Sequence, residues 1–165
     1  MDIGVVIGRF QVASLTEGHV YLIEQALAQH RTVVVLVGSS QEWGTAKNPL
    51  PYKARERMIH ERYPQVTCVA LPDMPDDDAA WSKHIDFMIR SLGWSVSDGE
   101  AVFYAGRDSF KPFYKGVHKV VECDSGMNHI AGSMVRENIG KVVLGNDDWR
   151  RGVIWATQNP FRGAL

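Results

Sequence analysis

The sequence predicts an α/β fold: a Rossmann-like parallel sheet of about five strands with helices on both faces. Three observations carry that expectation. Short apolar runs alternate with segments of helical periodicity along most of the chain, the pattern of βαβ units. The runs are rich in β-branched residues and apolar almost throughout, as strands covered on both faces must be. Polar and turn-forming residues collect just after the runs, where open parallel sheets take their ligands.

The elements follow in order. Residues 2–8 read as a buried first strand, and residues 18–30 place Val20, Ile23, Ala26 and Leu27 at helical spacing. Residues 32–39 form a second strand ending in Gly38-Ser39-Ser40. A Gly-, Asn- and Pro-bearing loop over 41–51 leads into a helix over 52–62, basic on one face through Lys53, Arg55 and Arg57. Residues 66–71 are a third strand closed by Pro72. Asp76-Asp77-Asp78 then puts carboxylates where a helix N-terminus favours negative charge. That helix runs to residue 92, with Trp81, Ile85, Met88 and Leu92 on one stripe. Residues 100–105 are the fourth strand, and after a basic, aromatic loop residues 119–123 are a short fifth one. Helices are expected at 133–139 and 147–158. The last carries Trp149, Val153, Ile154 and Trp155, which pack either on the core or on another subunit, so a homo-oligomer is possible.

At 165 residues the chain suits one domain, 1–165, with a sizeable core. A net charge of −1 gives no footprint for nucleic-acid binding. No apolar run approaches the ~18–20 residues needed to cross a bilayer, so no membrane partner is expected. Cys68 and Cys123 lie in apolar strand-like runs and read as buried thiols rather than a disulfide framework. Without a signal-peptide pattern, the expected location is cytoplasmic.

The loops beyond the strand ends are 8–19, 39–51, 72–81, 106–115 and 124–133. In the first, Gly8-Arg9-Phe10-Gln11 is followed by Thr16-Glu17-Gly18-His19 at the start of a helix. Free backbone N–H groups and the positive end of the helix dipole favour an anion there, and Arg9 and His19 add side-chain donors. The same residues also fit a plain capped helix, with Thr16 as cap and His19 as a half-exposed polar residue. The dinucleotide fingerprint G-x-G-x-x-G and the P-loop pattern are both missing. His84, His118 and His129 lack ligand-like spacing, so no metal site of the protein's own is expected.

Gly8-Arg9-Phe10-Gln11 with Thr16-Glu17-Gly18-His19 resembles the nucleotidylyltransferase superfamily, whose signature is (His/Thr)-x-Gly-His after the first strand. Gly38-Ser39-Ser40-Gln41, Asn48-Pro49 and Arg55-Glu56-Arg57-Met58-Ile59 resemble its GSxQ…NPF…ERxxMI block. Leu71-Pro72-Asp73 with Trp81 resembles its PD…W block, and Ile130-Ala131-Gly132-Ser133-Met134-Val135-Arg136 its ISGTxIR motif. Together the motifs are similar to those of nicotinamide mononucleotide (NMN) adenylyltransferases, of the archaeal and Nudix-fused kinds.

The resemblance implies adenylyl transfer from ATP to NMN, giving NAD and pyrophosphate, with Mg²⁺ accompanying ATP. It implies catalytic roles for His19, Arg9, Arg136 and Thr16, and an ATP site drawn from Gly8, Phe10, Gly18, Gly106, Asp108, Ile130 and Ser133. For NMN it implies Ser39, Asn48, Arg55, Asp73 and Trp81. Each has a plainer reading: Trp81 as core, Asp73 as a turn residue, Arg55 as part of a solvated helix face. Lys111 and Lys115 read more simply as solvated loop charges than as phosphate ligands.

The chain departs from the pattern in its first loop. Val12-Ala13-Ser14-Leu15-Thr16 stands where relatives have Pro-Phe-His, and Thr16 takes the first histidine's place, as in the phosphopantetheine branch. Ala54 replaces a glutamate, and Ala131-Gly132-Ser133 replaces Ser-Gly-Thr. No Nudix box occurs. The competing expectations are transfer to another small phosphate and a non-catalytic nucleotide-binding regulator.

Overall fold

The computed structural model describes residues 2–92, 96–106 and 109–123. The expected helices over 133–139 and 147–158, and the site candidates Asp108, Ile130, Ser133 and Arg136, lie outside the described residues.

Five strands, β1 (Ile3–Gly8), β2 (Thr32–Val37), β3 (Thr67–Ala70), β4 (Ala101–Ala105) and β5 (Lys119–Glu122), form one parallel sheet ordered β3-β2-β1-β4-β5. The order reverses direction at β1, which pairs with β2 on one side and β4 on the other. This is the doubly wound α/β architecture expected from the alternating runs.

Alternation within the strands explains why both faces are covered. Val33, Val35 and Val37 of β2 point into one core, and Val34 and Leu36 into the other. The first core receives Ile23 and Ala26 of α1 (Glu17–Gln29) and Met58 and Ile59 of α2 (Tyr52–Arg62). The second receives Ile85 and Ile89 of α3 (Asp78–Ser91), with Phe103, Phe110 and Tyr114. Trp81, Met88 and Leu92 pack against it half-buried.

Two expectations need correcting. Cys68 and Cys123 are free thiols but only half-buried, because β3 and β5 are the edge strands and their ends are less covered. Arg55 is no part of a solvated face: it is 0% exposed, while Lys53 and Arg57 beside it are exposed. The acidic run does stand at a helix N-terminus, as expected: Asp78 opens the third helix, and the Asp77 carboxylate caps it by accepting from the Ala80 N–H at 2.8 Å.

Candidate active site

The first βα turn is built by a reciprocal cap. Thr16 Oγ1 accepts from the His19 N–H at 3.3 Å, and His19 Nδ1 accepts from the Thr16 N–H at 3.2 Å. The second bond fixes the imidazole tautomer, because a ring nitrogen that accepts carries no proton, so Nε2 bears the hydrogen. The His19 ring lies 4.7 Å from that of Phe10, and desolvation pushes its pKa down from 6.5 to about 4. At neutral pH His19 is therefore an uncharged N–H donor at the positive end of α1.

Phe10 is 1% exposed and adopts a left-handed backbone with φ of 52°. Its ring fills the space where a side chain on Gly8 would stand: a Cβ there would lie 3.0 Å from it. Phe10 therefore offers a ligand nothing from its side chain and instead supports Gly8 and His19. The plain capped-helix geometry considered for Thr16 and His19 is thus present. It does not consume the Thr16 hydroxyl proton or the Nε2–H of His19.

The second loop is tied to the first by buried polar side chains. Gln11 reads the backbone of Leu50 twice, donating to its carbonyl at 3.1 Å and accepting from its N–H at 2.7 Å. Arg55, reaching up from α2, donates to the carbonyls of Arg9 at 2.9 Å, Gly38 at 2.6 Å and Ser39 at 3.1 Å. Burial pushes its pKa down to about 10, so the guanidinium stays charged at neutral pH. Arg55 lies beneath the two loops and does not line the cavity they border.

That cavity measures about 630 Å³ and opens beyond the C-terminal ends of β1 to β4. Its floor is Ile7 and Leu71 of the core on the α3 side. Gly8, Arg9, Gly38, Ser39, Asn48, Asp73 and Trp81 all line it, so six of the candidates named from the sequence converge with Gly38 on one space. The third loop enters through Asp73, whose carboxylate accepts from Ser39 Oγ at 3.0 Å and Gln41 Nε2 at 3.2 Å. Gln41 returns a bond, accepting from the Asp73 N–H at 3.1 Å. Asn48 donates to Glu42 at 2.6 Å, and its Oδ1 is buried without a partner.

His19, Thr16, Gly18 and Gly106 are not among the lining residues. They sit toward the α1 side: a Cβ on Gly106 would point at Leu22 of α1, 3.6 Å away. The candidate residues therefore fall into two groups, one on each side of the Gly8–Arg9 turn, where the strand order reverses.

The sequence did not single out Glu42, Lys47, Phe110 or Phe113, which also line the cavity. They lie in loops that the strand ends had marked, but nothing in their spacing distinguishes them from solvated loop residues. Lys111 pairs with Glu122 at 2.6 Å. Among the described residues no group of three or more His, Cys, Asp or Glu can hold a metal ion, and no helix is long and apolar enough to cross a membrane.

The chain is 30% identical over 109 residues to nicotinamide-nucleotide adenylyltransferase of Aeropyrum pernix, 62% of each chain. Its fold is similar to that of a bifunctional NMN adenylyltransferase/ADP ribose pyrophosphatase from Francisella tularensis, solved with AMP and a manganese ion. There the TM-score is 0.69 at 18% identity, covering 97% of this chain and 52% of that one. A NadR protein in complex with NAD and AMP-PNP matches with a TM-score of 0.54 at 21% identity, covering 74% and 38%. The chain thus spans about half of the Francisella protein and under two thirds of the Aeropyrum one. A sequence model of cytidylyltransferase-like proteins matches residues 5–138, and the chain belongs to that family.

Proposed function

We propose that the protein transfers the adenylyl group of ATP to NMN, forming NAD and releasing pyrophosphate. The observation that carries this reading is the cavity itself, which joins Arg9 and the Gly8 backbone to an aromatic wall of Trp81, Phe110 and Phe113. Its ionic lining is four carboxylates, Glu42, Asp73, Asp76 and Asp78, against two cations, Arg9 and Lys47. An aromatic wall with an excess of carboxylates suits the cationic pyridinium ring of NMN. A flexible acceptor such as pantetheine phosphate has no use for it.

The reaction needs no protein nucleophile. An oxygen of the NMN phosphate attacks the α-phosphorus of ATP, a new P–O bond forms, and the bond to pyrophosphate breaks. The protein's task is to hold two anions together and stabilise the charge that builds on the leaving group. In this reading NMN occupies the cavity, with Trp81 against its ring and Ser39, Asn48 and Asp73 on its polar edges. ATP lies across Gly8 toward α1, where Gly18 and Gly106 admit its approach and Thr16, Arg9 and the Nε2–H of His19 donate to its phosphates. Arg136 and Ser133 complete the phosphate ligands, with Ile130 and Asp108 at the adenosine. Arg55 acts by holding the carbonyls of Arg9, Gly38 and Ser39. Mg²⁺ enters bound to ATP as part of that substrate.

Incubation with ATP, Mg²⁺ and NMN should yield NAD and pyrophosphate in equal amounts. If nucleotide binds but neither product forms, the reading is wrong and a binding role takes its place. Turnover with another small phosphate but not with NMN would keep the reaction and replace the acceptor.

A further inference from the structure

The loop over 109–118 contributes Ser109, Phe110 and Phe113 to the cavity, yet it has no helix or strand to hold it. What holds it is a set of buried polar groups on α3. Ser82 and Asp86 are four residues apart, on one face of that helix, and are 2% and 6% exposed. Ser82 Oγ accepts from the Lys115 N–H at 2.8 Å and donates to the Asp78 carbonyl at 2.6 Å. The Asp86 carboxylate accepts from the Tyr114 hydroxyl at 2.5 Å and from the Val117 N–H at 3.1 Å. The Tyr114 oxygen in turn accepts from the His118 N–H at 3.2 Å.

Both ends of this arrangement report to the cavity. On α3, Asp78 sits one turn before Ser82 and Trp81 is the residue next to Ser82, and both line the cavity. Phe110 lies one turn before Tyr114, whose N–H donates to the Phe110 carbonyl at 3.1 Å. The fit is tight, because a Cβ on Gly116 would collide with the Tyr114 hydroxyl and the Asp86 carboxylate. None of Asp86, Tyr114 or Gly116 touches the cavity. A buried carboxylate bonded by a phenol and a backbone N–H is costly to assemble and fixes its neighbours closely.

We infer that the buried Asp86–Tyr114 pair is a positioning element for the acceptor: it sets the aromatic wall of Phe110 and Phe113 against Trp81 without touching the ligand. This rests on the proposed assignment of the cavity to NMN.

The test uses the full chain and three variants, Tyr114→Phe, Asp86→Asn and Asp86→Ala. KM for NMN and for ATP, kcat and amide hydrogen exchange are measured at a temperature where all are folded. Tyr114→Phe is expected to raise KM for NMN about tenfold while leaving KM for ATP within about twofold, the loss of about one good contact. Exchange should quicken over residues 109–118. Asp86→Asn keeps one carbonyl-type acceptor and should fall between wild type and Asp86→Ala. A merely structural tie would lower the melting temperature and leave both KM values alone, and that outcome overturns the inference, as does an equal rise in both or unchanged exchange. If wild type binds NMN without turnover, only the reaction is lost and the dissociation constant replaces KM. A wild type that does not bind NMN at all removes the acceptor assignment and this inference with it.

Discussion

Replacing Arg55 by methionine tests how the first two loops are held. The guanidinium is fully buried and gives three hydrogen bonds to carbonyls, at 2.6, 2.9 and 3.1 Å. Bonds from a charged donor contribute about 1.5–3 kcal/mol each, so the gross loss is roughly 5–9 kcal/mol. Burial of the charge opposes this. A pKa lowered from 12.5 to about 10 corresponds to about 3 kcal/mol disfavouring the charged form. Nε also lies buried without a partner, a further cost that methionine removes. The net destabilisation should therefore be about 2–5 kcal/mol, or roughly 5–15 °C in melting temperature for a chain of this size. Turnover should fall as well, because Arg9, Gly38 and Ser39 lose their shared anchor. Lysine, with a single point of donation, should recover only part of either loss. Thermal unfolding followed by circular dichroism, with kinetics on the folded variants, measures both. A methionine variant that melts within about 2 °C of wild type would show that desolvation cancels the bonds, and the tie would then not be a source of stability.

Four other outcomes are expected. His19 titrates near 4 in the folded chain against 6.5 unfolded, so between those values the unfolded chain binds the extra proton. Stability from this group is present above about pH 6.5 and is lost as pH falls toward 4; His19→Gln should flatten that part of the melting-temperature profile, and an unchanged slope contradicts the shift. His19→Ala should lower kcat about a hundredfold or more in a folded protein, as removal of an anion-stabilising donor does. Trp81→Ala should raise KM for NMN about tenfold, with Trp81→Phe restoring most of it; equal effects of the two changes would favour a purely core role. Gly116→Ala should destabilise by about 1–3 kcal/mol through overpacking against Tyr114 and Asp86, read as a lowered denaturant midpoint.

The sheet was legible because burial on both faces leaves an unmistakable trace: the run Thr32–Val37 has no polar interruption, and β1 and β4 read the same way. Helix α2 occupies the residues its pattern indicated, Tyr52–Arg62. The cap at Thr16 and His19 was legible too, since its spacing is local. Arg55 was marked as a site residue by the resemblance, but its tying role was not legible, because a charged residue between Lys53 and Arg57 looks solvated until carbonyls 16, 17 and 46 residues away converge on it. Asp86 escaped notice for the same reason. Its one signal was position: it lies between Ile85 and Ile89 on the buried side of α3, four residues after Ser82. What a one-dimensional pattern conveys is periodic burial, whereas a polar residue's partner is set by the fold.

These long-range bonds share a design. Gln11 ties the first loop to the second through Leu50, and Arg55 ties both to α2. Ser39 and Gln41 tie the second to the third through Asp73, and Ser82 and Asp86 tie the third loop's helix to residues 109–118. Each βα connection that borders the cavity is thus bound to the next by side chains, beside backbone bonds at the strand ends such as Gly38 N–H to the Gly8 carbonyl at 2.8 Å and Ser40 N–H to the Leu71 carbonyl at 3.2 Å. The ordering entropy of these loops falls on folding, not on ligand binding, so donors and aromatic faces need little rearrangement when substrates arrive. For the proposed reaction, which needs no protein nucleophile, that preorganisation would be the main lever. On the proposed reading, Thr16 can stand in a histidine's place because, as the cap, it keeps His19 in one tautomer with its Nε2–H free to face the ATP phosphates.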